Sequence, residues 1–111
     1  MSAPSVVIAG CGDVGGRLAT QLLALGWEVH GLRRDISRLP EGVIGIAGDL
    51  FSEDCPDTWP VGGVDYLVYC AAATDHDEAG YRAAYVQGLH HVLGWLNDYG
   101  QTPKQLLFVS S

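Results

Sequence analysis

The 111-residue sequence has few basic residues, few charges of either sign and no long apolar run. Six Lys and Arg stand against thirteen Asp and Glu, which gives a formal charge of −7 and a pI near 4.7. A general nucleic-acid or anionic-membrane binder needs a basic surface, so this balance excludes both classes. No apolar stretch approaches the roughly 18 residues of a membrane span, and the N-terminus lacks the basic region of a secretion signal. We therefore expect a soluble cytoplasmic protein that binds neither nucleic acid nor membrane.

Cysteine is also scarce. Cys11, Cys55 and Cys70 are odd in number, far apart and without Cys-x-x-Cys spacing, so they indicate neither a disulfide framework nor a zinc site. His90 and His91 are adjacent on a predicted helix and cannot form an i, i+4 metal pair, so we interpret both as helix-surface residues. The expectation is a reduced intracellular protein without a bound metal.

Short apolar runs alternate with longer helical patterns, which is typical of βαβ units and a parallel sheet. The first helical pattern carries Leu18, Leu22 and Leu25 and stops at Gly26, while the second spans residues 79–99 and stops at Gly100. A Pro-, Gly- and Asp-rich segment, residues 52–63, is predicted to be a surface loop. The five predicted strands are residues 6–9, 28–32, 43–47, 66–70 and 106–109.

The strongest motif is Gly10-Cys11-Gly12-Asp13-Val14-Gly15, a G-x-G-x-x-G between the first strand and the first helix. In a dinucleotide-binding loop the first glycine permits the tight turn, the second lets the backbone approach a pyrophosphate, and the third lets the helix pack close to the strand. The amides at the helix N-terminus then face the anion. A plain strand-to-helix turn is the alternative, and flavin and S-adenosylmethionine proteins use related loops.

The end of the second predicted strand distinguishes these nucleotides. NAD-preferring proteins place an acidic residue there to bond the ribose 2′-hydroxyl, whereas this chain has Arg33 followed by Arg34. A guanidinium forms charge-assisted bonds with a 2′-phosphate. The sequence therefore favours NADP as cofactor, with NAD as the alternative.

These features resemble the short-chain dehydrogenase/reductase superfamily, in its extended or atypical branch of NAD-dependent epimerases/dehydratases. The resemblance covers essentially the whole chain. Beyond the glycine loop it rests on Gly48-Asp49-Leu50, similar to the family's adenine-contacting Asp-Leu, and on Tyr69-Cys70-Ala71-Ala72-Ala73, similar to its cofactor-lining His-x-Ala-Ala. It also rests on Gly88, where the family has Asn-Val-x-Gly, and on Phe108-Val109-Ser110-Ser111, similar to the strand that delivers a catalytic Ser or Thr.

The resemblance implies an α/β Rossmann-type doubly wound sheet with strand order 3-2-1-4-5. Residues 1–111 would be the N-terminal part of an NAD(P)-binding domain whose C-terminal part and substrate-binding region are not in this chain. It also implies a small-molecule substrate, for example a sugar nucleotide, and a homodimer contact through the long second helix. The residues expected to hold the cofactor are Gly10, Gly12, Asp13, Val14, Gly15, Arg33, Arg34, Asp49, Leu50, Ala71, Ala72 and Ala73.

By the same resemblance, Ser111 or Ser110 would hold a substrate oxygen. The chain departs from the family in three places: its glycine loop is one residue shorter than the usual G-x-x-G-x-x-G, Tyr85 replaces the family's Asn, and no Tyr-x-x-x-Lys is present. That pair supplies the family's proton-transfer Tyr, so we expect these 111 residues alone to be inactive.

Three functions remain open at this point. The first is an NAD(P)-dependent oxidoreductase, epimerase or dehydratase that uses hydride transfer with a nicotinamide cofactor. The second is a non-catalytic NAD(P)-sensing regulator, and the third is a methyltransferase that binds S-adenosylmethionine. Asp75-His76-Asp77 is interpreted as a polar loop near the cofactor end of the fourth strand, and a hydrolase is disfavoured because no G-x-S-x-G surrounds Ser110 or Ser111.

Overall fold

In the computed structural model, five short apolar runs pair side by side into one parallel sheet. The structure describes residues 3–11, 13–50, 54–70 and 78–108, and for residues 13 and 78–85 it describes the backbone only. The strand order is β3-β2-β1-β4-β5, as predicted. The strands are β1 (Ser5–Ala9), β2 (Glu28–Arg33), β3 (Ile44–Ala47), β4 (Tyr66–Tyr69) and β5 (Gln105–Phe108).

Helix α1 (Asp13–Ala24) and helix α2 (Glu78–Asp98) supply the crossovers that parallel pairing requires. Val6 and Ile8 of β1 lie in the core cluster that contains Ala19 of α1, whereas Val7 and Ala9 lie in the cluster that contains Val92 of α2. The alternation places successive side chains on opposite faces, so both faces of the central strand are covered. Among the described residues, no helix combines the length and apolar character that a membrane span needs.

The end of α1 differs from the sequence prediction. The helix stops at Ala24, and Gly26 adopts φ +85° while its amide donates to the carbonyl of Leu23 at 3.0 Å. Leu25 therefore lies beyond the helix and is 73% exposed. Its helical spacing from Leu22 had placed it on the first helix, but the chain turns at a positive-φ glycine and Leu25 lies in that turn.

The segment between β3 and β4 is not wholly a surface loop. In residues 54–63, the described part of the predicted loop, no helix or strand forms, yet Pro56 and Trp59 are buried. Trp59 packs edge-on against Trp95 of α2 at 5.6 Å between ring centroids. The prediction was wrong here because turn-forming residues dominate the segment's composition while a few apolar side chains reach the core.

Backbone and side-chain hydrogen bonds connect the N-terminal ends of three strands. The amide of Ser5 donates to the Asp65 carboxylate at 2.9 Å, and the amide of Asp65 donates to the carbonyl of Ser5 at 3.2 Å. The amide of Lys104, just before β5, donates to the carbonyl of Asp65 at 2.7 Å. The starts of β1, β4 and β5 are thereby held in register.

Candidate dinucleotide site

The C-terminal ends of β1, β2 and β3 meet at one edge of the sheet and carry the residues singled out in the sequence. The chain proceeds outward from β1 to β2 and β3 on one side and then returns to β4 and β5 on the other. The topological switch point is therefore at the end of β1, where the glycine loop begins. In open α/β sheets ligands bind at such a crevice.

The described glycines of the loop, Gly10 and Gly15, each have a property that a dinucleotide cradle needs. Gly10 adopts φ +83°, in the left-handed region that favours glycine, and its amide donates to the carbonyl of Leu32 on β2 at 3.1 Å. A Cβ on Gly15 would lie only 3.0 Å from Cγ2 of Ile8 and 3.3 Å from the carbonyl oxygen of Gly10. The first glycine therefore makes the turn and the last allows helix α1 to approach β1.

Two more of the predicted loop residues, Asp13 and Val14, belong to the first turn of α1. Asp13 is the first residue of the helix, and Val14 is 45% exposed. Gly12, which would approach a pyrophosphate, lies outside the described residues. The helix N-terminus and the turn at Gly10 thus face the same edge of the sheet.

Arg33 ends β2 and reaches back over the glycine loop. Its Nη1 atom donates to the carbonyl of Cys11 at 3.3 Å, so the half-buried guanidinium is held beside the loop. Arg34 is exposed at the next position. The guanidinium of Arg33 presents several N–H donors in a fixed plane, and one bond to Cys11 leaves further donor positions on the same group for an anion.

An acidic residue also follows β2, but its side chain is directed to a local turn. Asp35 caps the short 3₁₀ helix Ile36–Arg38, and its Oδ1 accepts from the amide of Ser37 at 3.1 Å and from the Ser37 hydroxyl at 2.5 Å. These hydrogen bonds hold the pKa of the exposed Asp35 carboxyl below its usual value. Its second oxygen lies 3.7 Å from Nε of Arg38.

The Gly48-Asp49-Leu50 segment follows β3 and is tied to β2. The amide of Gly48 donates to the carbonyl of Arg33 at 3.3 Å. A Cβ on Gly48 would lie 2.5 Å from Cγ of Pro56 and 2.9 Å from Cδ1 of Leu32, so only glycine fits this close approach. Asp49 is half-buried beside it, and Leu50 packs against the core.

Helix α2 contacts this segment through Gly88, which the family resemblance had singled out, and through His91, which the sequence had placed on the helix surface. A Cβ on Gly88 would overlap the Tyr69 hydroxyl and lie 3.3 Å from Cβ of Leu50. The Nδ1 atom of His91 lies 2.6 Å from the carbonyl oxygen of Leu50. His90 is exposed as predicted, but the prediction for His91 was wrong, because its ring is half-buried against the loop after β3.

The thiols of Cys11 and Cys70 lie in the core cluster on the α1 side, 1% and 8% exposed. Burial raises the pKa of both thiols, and for Cys11 the nearby guanidinium of Arg33 offsets part of that rise. All three cysteines carry free thiols. Within the described ranges, no group of His, Cys, Asp and Glu side chains could hold a metal ion.

Several residues of the sequence interpretation lie outside the described residues. They are Gly12, Ala71, Ala72, Ala73, Asp75, His76, Asp77, Ser110 and Ser111. Their expected roles in cofactor or substrate binding stay predictions.

No protein-family model matches the chain, and no protein of curated function matches it. Solved structures do. A protein of Methylobacillus flagellatus described as an NAD-dependent epimerase/dehydratase shares 36% identity over 99% of this chain, with a TM-score of 0.71. This chain covers 38% of that protein's length.

Two more distant structures share the fold. UDP-glucose 4-epimerase of Thermotoga maritima, solved with UDP-glucose, has 15% identity and a TM-score of 0.71, with 96% of this chain and 38% of that chain covered. The Candida albicans protein Gre2, solved with NADPH, has 16% identity and a TM-score of 0.66, with 97% and 37% covered. The 36% identity over 99% of the chain confirms the resemblance to NAD-dependent epimerases/dehydratases and shows that the chain belongs to that family. The chain corresponds to the N-terminal Rossmann portion of its structural neighbours.

Proposed function

We propose that this chain, which corresponds to the Rossmann portion of NAD-dependent epimerases/dehydratases, is the cofactor-binding unit of an NADP(H)-linked oxidoreductase, epimerase or dehydratase. The observation that carries the proposal is the hydrogen bond from Arg33 to the carbonyl of Cys11. It holds a permanent positive charge at the position where an NAD-preferring protein has a carboxylate. The comparisons support a nucleotide-binding role of this kind, since neighbours were solved with dinucleotide cofactors.

The preference for a 2′-phosphate is supported by the charges at the end of β2. Arg33 is oriented by the loop, and Arg34 adds a second guanidinium at the next position. Asp35 is the acidic residue nearest to these arginines in sequence, and its Oδ1 accepts hydrogen bonds that cap the 3₁₀ helix. A ribose 2′-hydroxyl therefore finds donors and not an oriented acceptor, whereas a 2′-phosphate finds two cations.

The pyrophosphate is proposed to lie across the glycine loop. The turn at Gly10 and the close approach at Gly15 bring the N-terminus of α1 to the cradle, where its first amides donate to an anion. Asp49 is proposed to face the adenine end. When bound, a nicotinamide dinucleotide supplies the hydride donor or acceptor for the reaction.

The catalytic step is proposed to need residues beyond these 111. Ser110 or Ser111 would hold a substrate oxygen, and a sugar nucleotide is the substrate class that the epimerase neighbour suggests. No Tyr in the sequence is followed four residues later by Lys, and Lys104 is the only lysine. General acid–base catalysis contributes about 10² to 10⁴-fold, so this chain alone is expected to bind cofactor without turnover.

The rival function is a non-catalytic NAD(P) sensor, which the same missing Tyr-x-x-x-Lys favours. A sensor and an enzyme share the dinucleotide site and differ in whether hydride transfer follows. A complete protein that continues past position 111 with a Tyr-x-x-x-Lys would support the enzyme.

The proposal is tested by titrating the chain with NADPH and NADH and comparing dissociation constants. We expect NADPH to bind more tightly. Arg33→Ala should weaken NADPH binding about ten- to hundredfold, since a charge-assisted hydrogen bond contributes about 1.5–3 kcal/mol, and should leave NADH nearly unchanged.

Arg34→Ala is the matched control, because it removes the same charge from an exposed position that no loop contact orients. It should weaken NADPH binding less than Arg33→Ala does. Equal affinity of the unmutated chain for the two cofactors would contradict the assignment, and binding of S-adenosylmethionine in their place would favour a methyltransferase.

A further inference from the structure

The ring of His91 links helix α2 to the chain segment that follows β3, 41 positions earlier in the sequence. Its Nδ1 atom lies 2.6 Å from the carbonyl oxygen of Leu50. A carbonyl only accepts, so Nδ1 carries the hydrogen and donates. This bond fixes the tautomer of the neutral ring.

The orientation of that ring is set by aromatic packing. His91 stacks on Trp95 at 6.3 Å between centroids and 23° between planes. Trp95 is 2% exposed and is held in turn by the edge contact with Trp59. Because packing already restricts the ring, the hydrogen bond from Nδ1 costs little further side-chain entropy. A side chain restricted in this way can hold a neighbouring group in a fixed position.

Leu50 is held at two points one helical turn apart. Gly88 lets the backbone of α2 approach Cβ of Leu50, and His91, three residues later, bonds the Leu50 carbonyl. The segment needs such a tether because β3 is an edge strand that pairs only with β2 in the described sheet. The hydrogen bond from Gly48 to Arg33 restrains its start, and His91 restrains its end.

We infer that His91 is a positioning residue that places Asp49, the neighbour of Leu50, for contact with the adenine end of the dinucleotide. The inference rests on the proposed function, because the role of Asp49 belongs to that proposal. His91 contacts the carbonyl oxygen of Leu50, so it would act on Asp49 through the segment. Its removal should therefore weaken binding through a looser segment.

Three substitutions of His91 distinguish a role in positioning the segment from a role in packing alone. Asn places an amide donor near the position of Nδ1, Gln carries the same amide one carbon further out, and Leu fills the space without a donor. His90→Leu is the control on the exposed neighbour. The ligands are NADP⁺ and adenosine 2′,5′-bisphosphate, which retains the adenine and the 2′-phosphate and lacks the nicotinamide.

We expect His91→Leu and His91→Gln to raise the dissociation constants of both ligands by the same factor, about five- to tenfold, which corresponds to the loss of one hydrogen bond. His91→Asn should stay within about twofold of the unmutated chain, and His90→Leu should not differ from it. Hydrogen–deuterium exchange of the peptide spanning residues 46–50, measured without ligand, should rise in the Leu and Gln variants and return to normal in the Asn variant.

The two readouts separate the possible failures. Unchanged exchange together with unchanged affinity in His91→Gln would overturn the inference. A lower unfolding temperature with unchanged affinity would also overturn it, because the His91 ring would then only stabilise the fold. If exchange follows the donor while the unmutated chain binds neither ligand, the proposed function is wrong and the nucleotide role of His91 is wrong with it.

Discussion

Two buried thiols illustrate how single residues beside the proposed site respond to their surroundings. Cys11 lies within the glycine loop and Cys70 directly follows β4, where its amide donates to the carbonyl of Ala9 at 2.8 Å. Burial raises the pKa of both thiols from the ordinary value of 9.0, and the proximity of Cys11 raises that of Cys70 further. Both therefore behave as small apolar side chains at neutral pH, and neither is a reactive nucleophile.

The raised pKa values predict how stability changes in alkaline solution. Well below pH 9.0 both folded and unfolded thiols keep their protons, so these groups leave the free energy of unfolding independent of pH. As the pH rises through that value, the unfolded chain releases protons that the folded chain retains, and the free energy of unfolding falls. Urea unfolding measured from about pH 8 to about pH 10 should show this decline.

The free energy of unfolding of the double variant Cys11→Ala, Cys70→Ala should decline less steeply over the same range, because the two most deeply buried thiols are gone. Cys55→Ala is the comparison: burial also raises the pKa of that thiol, but the residue is only half-buried, so the slope should change less. Identical slopes in all three proteins would show that the buried thiols do not titrate as described.

At the scale of elements, much of the architecture could be predicted, because short apolar runs bounded by Gly, Pro and Asp report strands locally. Each strand boundary falls within about one residue of its prediction, and Gly26 and Gly100 follow the two helices as expected. Contacts between distant segments were missed. Trp59 and His91 have no local signal, since the partners that bury them are brought close only by the fold.

The glycines of helix α2 show the same limit and supply a prediction. The resemblance singled out Gly88 and not Gly94 but gave no contact for either. A Cβ on Gly88 would overlap the Tyr69 hydroxyl, whereas a Cβ on Gly94 meets nothing within 4 Å. Gly88→Ala should therefore destabilise the protein by about 1–3 kcal/mol through overpacking. Gly94→Ala should stabilise it by about 0.5–1 kcal/mol, because Ala has the higher helix propensity.

Denaturant unfolding of the two variants measures both effects, and a double-mutant cycle identifies the obstacle. Adding Tyr69→Phe to Gly88→Ala removes the hydroxyl that the new methyl group meets, so the double variant should lose less stability than the sum of the single changes. Additive losses would mean that the overlap with Tyr69 is not the cause.

At the scale of the whole molecule, the described sheet is covered unevenly. Its central strand is buried on both faces, but β5 pairs only with β4 and exposes 44% of Leu107 and 52% of Phe108. Leu107 pairs with Val68 in register and so shares the face of the sheet that α1 covers near β1 and β2. An edge strand with exposed apolar side chains is a template for pairing with another chain.

We therefore predict that the 111-residue chain self-associates through β5. Leu107→Lys should shift the mass distribution in light scattering toward the monomer, because a lysine on an edge strand opposes pairing with a second copy. Leu25→Lys is the matched control: Leu25 is more exposed, at 73%, but follows a helix where no strand can be added. If both variants reduce association equally, general surface hydrophobicity causes the self-association. If the unmutated chain is monomeric at high concentration, the β5 edge is protected by means other than pairing.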